Sequence, residues 1–377
     1  MKEEFDTKEI VEVSIDTKES LKEPFESEND LDPNNSINDY LKSKQKPYIK
    51  RIILIIFLII IVLVFTGIII IIIIITDLKE NKIEIICQYK KRDNQEINLL
   101  SKYYKELSNN LIYINGSKVS NRNYTFESEE EILNVTFIQY ETLKLENMFK
   151  DVKELYSVEI NATNKVSFDD SLENAFTNCE NLRYFTSNIT RGNIIDMSYM
   201  FSNCTNLKNV TFEYIGNSTK NFSHMFENCI NLTSLNLKNF STNNAEDMSY
   251  MFFNCKSLNL TNFYFDTSNV TNMSNMFSGC GSLTSLDLTN FNTNFVIDMS
   301  YMFANCYSIK DLDINSFNIS GVEDMSFMFV NCSKLEKLVY NNSSFIPNRN
   351  ANFNGMFDEC NNTIIPDWYN PNYKLIN

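Results

Sequence analysis

Residues 298–306 read Asp-Met-Ser-Tyr-Met-Phe-Ala-Asn-Cys, and variants of this segment recur from the middle of the chain to its end. The shared pattern is Met-Phe-x-x-Cys-x-x-Leu, and its cysteines from Cys179 to Cys332 are 25 or 26 residues apart. A constant period of this length predicts a solenoid, in which each unit buries its apolar side chains against its neighbours. An extended repeat surface of this kind favours binding over catalysis.

The apolar side chains change their spacing within one unit. The first four apolar positions follow the helical spacing i, i+3, i+4 and i+7, at Met299, Met302, Phe303 and Cys306. This spacing predicts one face of a two-turn helix, with Asp298 as its N-cap. Residues 309–314 then end with alternating apolar and polar side chains, which predicts a short strand. The predicted fold class is therefore α/β: a leucine-rich-repeat solenoid of short parallel strands and short helices.

The regular units end in degenerate copies, which is typical of solenoid caps. The first copy has Val152 in the cysteine slot, and the last, around Cys360, has lost its leucine. These ends place the solenoid at residues 145–365. Residues 77–144 are predicted as a membrane-proximal spacer and N-terminal cap, and residues 366–377 as a C-terminal tail.

Residues 52–75 are almost entirely Ile, Leu, Val and Phe. A helix of this length spans about 36 Å, enough for a tilted crossing of a ~30 Å hydrocarbon layer. Residues 52–76 are therefore predicted as one transmembrane helix. Residues 1–51 are polar and acidic with a basic end next to the membrane, which predicts a disordered cytosolic tail.

The basic residues indicate the orientation of this span. They crowd its N-terminal edge more tightly than its C-terminal edge, which favours a cytosolic N-terminus. The part beyond the span contains many N-x-S/T sequons, which suit an extracellular domain, although an Asn- and Ser-rich chain also generates them by chance. The candidate glycosylation sites are Asn115, Asn123, Asn134, Asn161, Asn188, Asn269 and Asn318.

The repeat cysteines are interpreted as buried and reduced. Regular cysteine spacing outside a cell is also compatible with disulfides. However, Val152 fills the same slot in the first unit, and a slot that accepts valine is apolar. Cys87 lies just beyond the span, where an exposed thiol would form an intermolecular disulfide and link two chains as a homodimer; an unpaired or lipid-modified thiol is the alternative.

Composition excludes several classes of function. A formal charge of −15 and a pI near 4.7 argue against a nucleic-acid partner, because phosphate binding needs a basic face. The single histidine, His224, argues against triad and metal-site chemistry, and no Gly-rich phosphate loop is present. His224 occupies the repeat position of Tyr199 and Tyr250, which indicates a packing or surface residue. We therefore expect no enzyme activity, no cofactor and no metal.

The exposed face of the strands is the predicted binding surface. Its outward positions, between the inward leucines, are Thr211, Asn236, Asp287, Asp313 and Val339. Solenoid surfaces of this kind bind proteins or glycans through many modest contacts.

The unit Asp-Met-Ser-x-Met-Phe-x-x-Cys-x-x-Leu-x-x-Leu-x-Leu resembles the BspA-like leucine-rich-repeat surface protein family. Residues 247–255 and 272–288 carry the resemblance most clearly, and it covers roughly residues 145–365. It implies a cell-surface protein for adhesion or recognition, without catalytic residues. The internal span and acidic tail depart from the bacterial lipoprotein pattern. The expected function is a single-pass surface protein at the plasma membrane, with its repeats outside. The alternatives are a receptor-like signalling protein and, with reversed topology, a tethered intracellular scaffold.

Overall fold

The computed structural model describes residues 33–91, 96–106, 111–126, 131–163, 166–213, 216–236, 240–260, 263–361 and 364–369. The chain divides into two compact units, residues 1–72 and 73–377. Most of the predicted tail, residues 1–32, lies outside the described part.

One long α-helix, α1, runs from Pro33 to Glu80. It contains the predicted span, and it also includes residues 33–51, which the sequence assigned to the disordered tail. Within it, Lys50–Asp77 is long and apolar enough to cross a membrane, with a mean hydropathy of 3.7 in its most apolar window. The hydroxyls of Thr66 and Thr76 donate to the carbonyls of Leu63 and Ile73, so these two polar side chains are satisfied inside the helix.

Fourteen short strands follow α1 in the described part of the chain. Their bounds are β1 Lys82–Lys90, β2 Glu96–Asn98, β3 Leu111–Ile114, β4 Ser117–Val119, β5 Asn123–Thr125, β6 Ile132–Tyr140, β7 Thr142–Leu143, β8 Leu155–Ala162, β9 Ser167–Phe168, β10 Tyr184–Ser187, β11 Asn209–Phe212, β12 Ser234–Asn236, β13 Asp311–Asp313 and β14 Lys337–Val339. The largest sheet has the order β12-β11-β10-β8-β1-β6-β3-β4.

β8 joins two kinds of strand pairing in this sheet. It is antiparallel to β1, which in turn is antiparallel to β6, and it is parallel to β10. The parallel part continues through β11 to β12. β1 alternates half-buried and buried side chains, as a strand covered on one face should. The antiparallel strands therefore cover the first edge of the parallel ladder.

The repeats form a β-solenoid of about eight turns. Each turn is called a coil here and is named after its cysteine. A column of isolated parallel bridges joins neighbouring coils, at Ser171, Asp196, Asn221, Asp247, Asn272, Asp298, Asp324 and Asn352. Parallel strands β13 and β14 pair two late coils in the same sense.

The predicted repeat helices are wrong, because residues such as 298–306 form consecutive turns. Tyr301 and Asn305 have φ angles of 57° and 60°, and a left-handed residue at every fourth position stops a right-handed helix. The amide of Phe303 donates to the carbonyl of Met328 in the next coil at 2.9 Å, instead of closing a helical turn. Asp298 accepts from the amide of Ser300 at 2.8 Å and so caps a turn. The α/β class is thus corrected to a β-solenoid.

A column of stacked phenylalanine rings fills the solenoid interior. Neighbouring centroids are 5.2–5.8 Å apart and the rings lie within 13° of parallel. The rings are Phe149, Phe176, Phe201, Phe226, Phe252, Phe277, Phe303, Phe329 and Phe357. Burial of each ring contributes roughly 1.5–3 kcal/mol, so this column is a main source of stability.

The coil cysteines are free thiols beside this column, and those from Cys179 to Cys332 occupy buried apolar slots. Each Sγ donates to the phenylalanine carbonyl of the preceding coil, as Cys255 does to Phe226 at 3.0 Å. Burial raises the pKa of the Cys306 thiol to about 12. The prediction of an unpaired, stacked ladder therefore agrees with the structure.

The prediction of an exposed, disulfide-forming Cys87 is wrong. Cys87 is fully buried in β1, between β6 and β8, and burial raises its pKa well above the ordinary value. A thiol buried in the hydrophobic core cannot reach a second chain.

Aromatic side chains cover the last coil. Tyr369 meets Phe357 edge to face, with centroids 5.1 Å apart, and Trp368 contacts Phe345 and Phe353. The start of the predicted tail is therefore part of the solenoid cap, and residues 370–377 lie outside the described part.

Candidate functional site

The structure brings the predicted binding residues together in pairs. Thr211 of β11 pairs in register with Asn236 of β12, and Asp313 of β13 pairs with Val339 of β14. Asn236 and Asp313 are exposed, whereas Thr211 and Val339 are half-buried. Side chains on parallel neighbours in register form continuous outward columns.

Asp287 does not belong to a strand, although it is exposed as predicted. Its carboxylate accepts from the hydroxyl of Thr289 at 2.7 Å and from the Thr289 amide at 3.1 Å. The two hydrogen bonds hold the pKa of Asp287 below its usual value, and the bond from the hydroxyl has the larger effect. Asp287 thus closes a local turn.

The candidate glycosylation sites differ in exposure. Asn161 and Asn318 are half-buried, and Asn318 donates to Asn294 in the preceding coil at 2.8 Å. The exposed sites are Asn115, Asn123, Asn134, Asn188 and Asn269.

Carboxylates and asparagines on the column of bridges act as turn caps. Each accepts from the amide two residues later, as Asp196 does from Ser198 at 2.7 Å and Asp247 from Ser249 at 2.8 Å. Among the described residues, no group of three or more His, Cys, Asp or Glu side chains is arranged to hold a metal ion. The carboxylate column therefore has a structural explanation.

Stacked aromatic rings form a second column of side chains, which the sequence pattern did not predict. It lies five residues before each cysteine, where the backbone φ is positive. The His224 ring lies between the rings of Tyr199 and Tyr250, with centroids 4.3 and 4.6 Å away and interplanar angles below 10°. The Nδ1 of His224 is 2.8 Å from the carboxylate of Glu227. His224 is thus a stacking residue, as its place in the repeat indicated.

A cavity of about 420 Å³ lies where this aromatic column begins. In the preceding coil the equivalent position holds Asn174, which is too small to cover the ring of Tyr199. The cavity is lined by Lys150, Glu173, Asn174, Thr177, Asn178, Tyr199, Ser202, Asn203 and Glu227. Three consecutive coils and the first unit supply this lining, so the repeat period itself assembles the site.

The cavity has acidic surroundings. Burial, then the nearby carboxylates of Asp196 and Glu146, raise the pKa of Glu173 above its ordinary value. Burial, and then Glu227 and other acidic neighbours, also raise the pKa of Tyr199. Both shifts disfavour additional negative charge, so the site suits a cationic or neutral ligand.

A smaller cavity of about 240 Å³ lies near the N-terminal sheet and is polar. Lys144 forms an ion pair with Glu106 at 3.7 Å on its wall, and Tyr104 donates to the Lys144 carbonyl at 3.3 Å. Lys144 and Glu106 neutralise each other within its wall, so the larger cavity beside Tyr199 is the stronger candidate.

Comparison with known proteins identifies one family. Residues 170–280 and 262–368 each match the family described as "Mycoplasma protein of unknown function, DUF285". Together the two matches run from residue 170 to residue 368, more than half of the 377 residues. A search of curated proteins found no match.

Proposed function

Because this chain belongs to the family described as "Mycoplasma protein of unknown function, DUF285", we propose that it is a BspA-like surface repeat protein. One observation carries the proposal: a single chain combines a β-solenoid of about eight turns with one helix long and apolar enough to span a membrane. A solenoid presents a long surface for recognition, and a span would hold that surface at the cell boundary.

The proposed topology has a cytosolic N-terminus and an external solenoid. The tighter cluster of Lys and Arg before residue 52 supports this orientation. The proposed function is adhesion or recognition of an extracellular protein or glycan, without catalysis. The exposed columns that include Asn236 and Asp313 would contribute many modest contacts.

Protease protection on intact cells tests the location. Epitope tags are placed before Met1 and after Asn377, and trypsin is added outside. The C-terminal tag should be lost while the N-terminal tag survives until the cells are permeabilised. Protection of the C-terminal tag with loss of the N-terminal tag would reverse the topology and favour an intracellular scaffold.

Glycosidase treatment gives a second, independent measurement in a host that attaches N-glycans. The protein should shift on a gel, and Asn115→Gln should reduce the shift, because Asn115 is exposed in the turn between β3 and β4. The matched variant Asn231→Gln also removes a sequon. Its amide donates to the Thr205 carbonyl at 2.8 Å, so it should change the shift less.

A further inference from the structure

The aromatic column exposes one ring face at the cavity. Tyr199 stacks on His224 with one face, and its other face points towards the coil of Asn174. The aromatic column is interrupted again later, because Asn275 holds the equivalent position in the coil before Tyr301. Tyr301 stacks with its other face on Phe327, at a centroid distance of 4.9 Å. The chain therefore contains two equivalent uncovered tyrosine faces, and they can be compared.

The two tyrosine faces differ in the charges beside them. At Tyr199 the flanking positions hold Glu173 in the preceding coil and Glu227 in the following coil. At Tyr301 the equivalent positions hold Ser274 and Val330. Only the first face combines a ring with carboxylates, so the acidic character is a property of the cavity and not of the repeat.

The two carboxylates that line the cavity offer unused hydrogen-bond acceptors. Glu173 Oε1 accepts from Asn174, and Glu227 Oε2 contacts His224 and Ser202. Within the described part of the chain, the second oxygen of each carboxylate has no hydrogen-bond partner. Lining amides are already engaged, since Asn203 donates to the neighbouring asparagine at 2.9 Å. A ligand that only donates hydrogen bonds fits this arrangement.

One cation of the chain already lies at the edge of the cavity. Lys150 Nζ donates to Asn174 Oδ1 at 3.1 Å and lies 5.6 Å from the ring centroid of Tyr103. Lys150 lowers the pKa of Glu173, but burial and the neighbouring carboxylates together raise it by more. The cavity therefore keeps an acidic character with Lys150 in place.

We propose that this cavity binds the ammonium group of a lysine side chain on a partner protein. The ammonium would lie over the open face of Tyr199, whose ring quadrupole attracts cations, and would donate to Glu173, while Glu227 adds negative charge beside the same ring. This inference rests on the recognition function proposed above and names one class of partner for it: a protein segment that presents lysine.

Fluorescence anisotropy tests the proposal with a labelled short lysine peptide and the full chain in neutral detergent micelles. The double variant Glu173→Gln/Glu227→Gln should weaken binding roughly tenfold at low salt. Salt near 0.5 M should remove most of the difference, because added salt shortens the Debye screening length, which is only ~3 Å at about 1 M. Tyr199→Leu should weaken binding roughly two- to fivefold, whereas Tyr199→Phe keeps the ring face and should bind like the parent.

Tyr301→Leu is the matched control, because it removes the equivalent ring where no carboxylates flank it. It should leave peptide binding unchanged. Thermal unfolding followed by circular dichroism establishes that each variant is folded. The same peptide with acetylated lysines carries no ammonium charge and should not bind.

Several results would overturn the proposal. They are equal binding of the acetylated peptide, no effect of the glutamate substitutions in a folded protein, and an effect of Tyr301→Leu as large as that of Tyr199→Leu. Binding of neutral oligosaccharides in place of the lysine peptide, lost in the same variants, would assign the cavity to glycans. Each outcome leaves the surface location untouched, since protease protection measures that separately.

Discussion

At the scale of single residues, burial keeps the thiols of the middle coils protonated. Cys255 is fully buried and donates to Phe226, and burial raises its pKa far above the ordinary range. Cys360, in the last coil, is only partly buried, and a side-chain interaction with the neighbouring Cys332 thiol lowers its pKa. Since the thiolate is the reactive form, one repeat position contains both inert and reactive cysteines.

Cys360 should be the first cysteine to react with a water-soluble maleimide near neutral pH. Its lower pKa and partial exposure both increase the accessible thiolate, whereas Cys255 should react only after unfolding in denaturant. Mass spectrometry of peptides from a timed labelling reaction measures the order. Labelling of Cys255 at the rate of Cys360 in the folded protein would contradict the buried ladder.

Glu173→Gln should stabilise the protein slightly while it weakens the proposed ligand site. Burial, and then repulsion from Asp196 and Glu146, raises the pKa of Glu173, so the ionised side chain is unfavourable in the fold. A carboxyl group whose pKa is higher in the folded than in the unfolded state destabilises the fold when it ionises. The protein loses this stability as the pH rises from the unfolded pKa to the folded pKa. The gain should be about 0.5 kcal/mol at neutral pH and vanish below about pH 4.

Urea unfolding at the two pH values measures this difference. The matched variant Glu246→Gln removes an exposed carboxylate that pairs with Lys220 at 2.7 Å. That substitution should be neutral or slightly destabilising. A loss of stability in Glu173→Gln at neutral pH would show that the carboxylate is favourable in the fold.

The apolar character of the cysteine slot could be predicted because Val152 occupies it in the first unit. The burial of Cys87 could not, because it depends on β6 and β8, which pair with β1 from distant parts of the chain. The cavity beside Tyr199 also needed the structure. Its carboxylates, Glu173 and Glu227, are 54 residues apart and lie in different coils.

At the scale of elements, the consecutive turns explain why helical spacing misled the prediction. Side chains at positions i, i+3, i+4 and i+7 lie on one side of a helix. In this solenoid the same positions also face the interior, but the backbone forms turns that bond to the next coil. The distinguishing signal was the asparagine that directly precedes six of the eight coil cysteines. Asn tolerates positive φ better than most residues, and Gly279 fills the same slot with φ 76°. The strands that do form after the cysteines, such as β10 and β13, alternate exposed and buried side chains as predicted.

Asn254→Ala should destabilise the protein more than Asn254→Gly. Asn254 has φ 58° and donates to Asn228 at 2.8 Å, and both substitutions lose that hydrogen bond. Alanine also carries a cost of about 1–2 kcal/mol for the left-handed conformation, which glycine avoids. The difference between the two variants in the free energy of unfolding isolates the backbone term. Equal stability of the two variants would contradict the role of positive φ in the turn.

At the scale of the whole molecule, a solenoid is a one-dimensional stack in which each coil contacts only its neighbours. The period of the sequence was sufficient to predict this architecture. The topology of the first cap was not predictable, because β1 is inserted between β6 and β8 by antiparallel pairings that no periodic pattern encodes. In a stack of this kind the end coils have one neighbour fewer, so the caps determine whether they stay folded.

Removing the aromatic cap should therefore unfold the last coil locally. Trp368 and Tyr369 cover Phe357 and Phe353, and the variant Trp368→Ala/Tyr369→Ala exposes that end of the phenylalanine column. Local opening in a stack needs to break only one interface between coils, whereas opening in the middle needs two.

Hydrogen exchange measured by mass spectrometry distinguishes the two regions of the stack. Amides that bond to the last coil, such as that of Phe329, which donates to Met356 at 2.9 Å, should exchange faster in the capless variant. Amides near Phe201 should keep their protection, and Tyr264→Ala, which removes a 60% exposed ring, should change neither region. Uniformly faster exchange along the whole solenoid would show that it unfolds as a single cooperative unit, and the one-dimensional description would then fail.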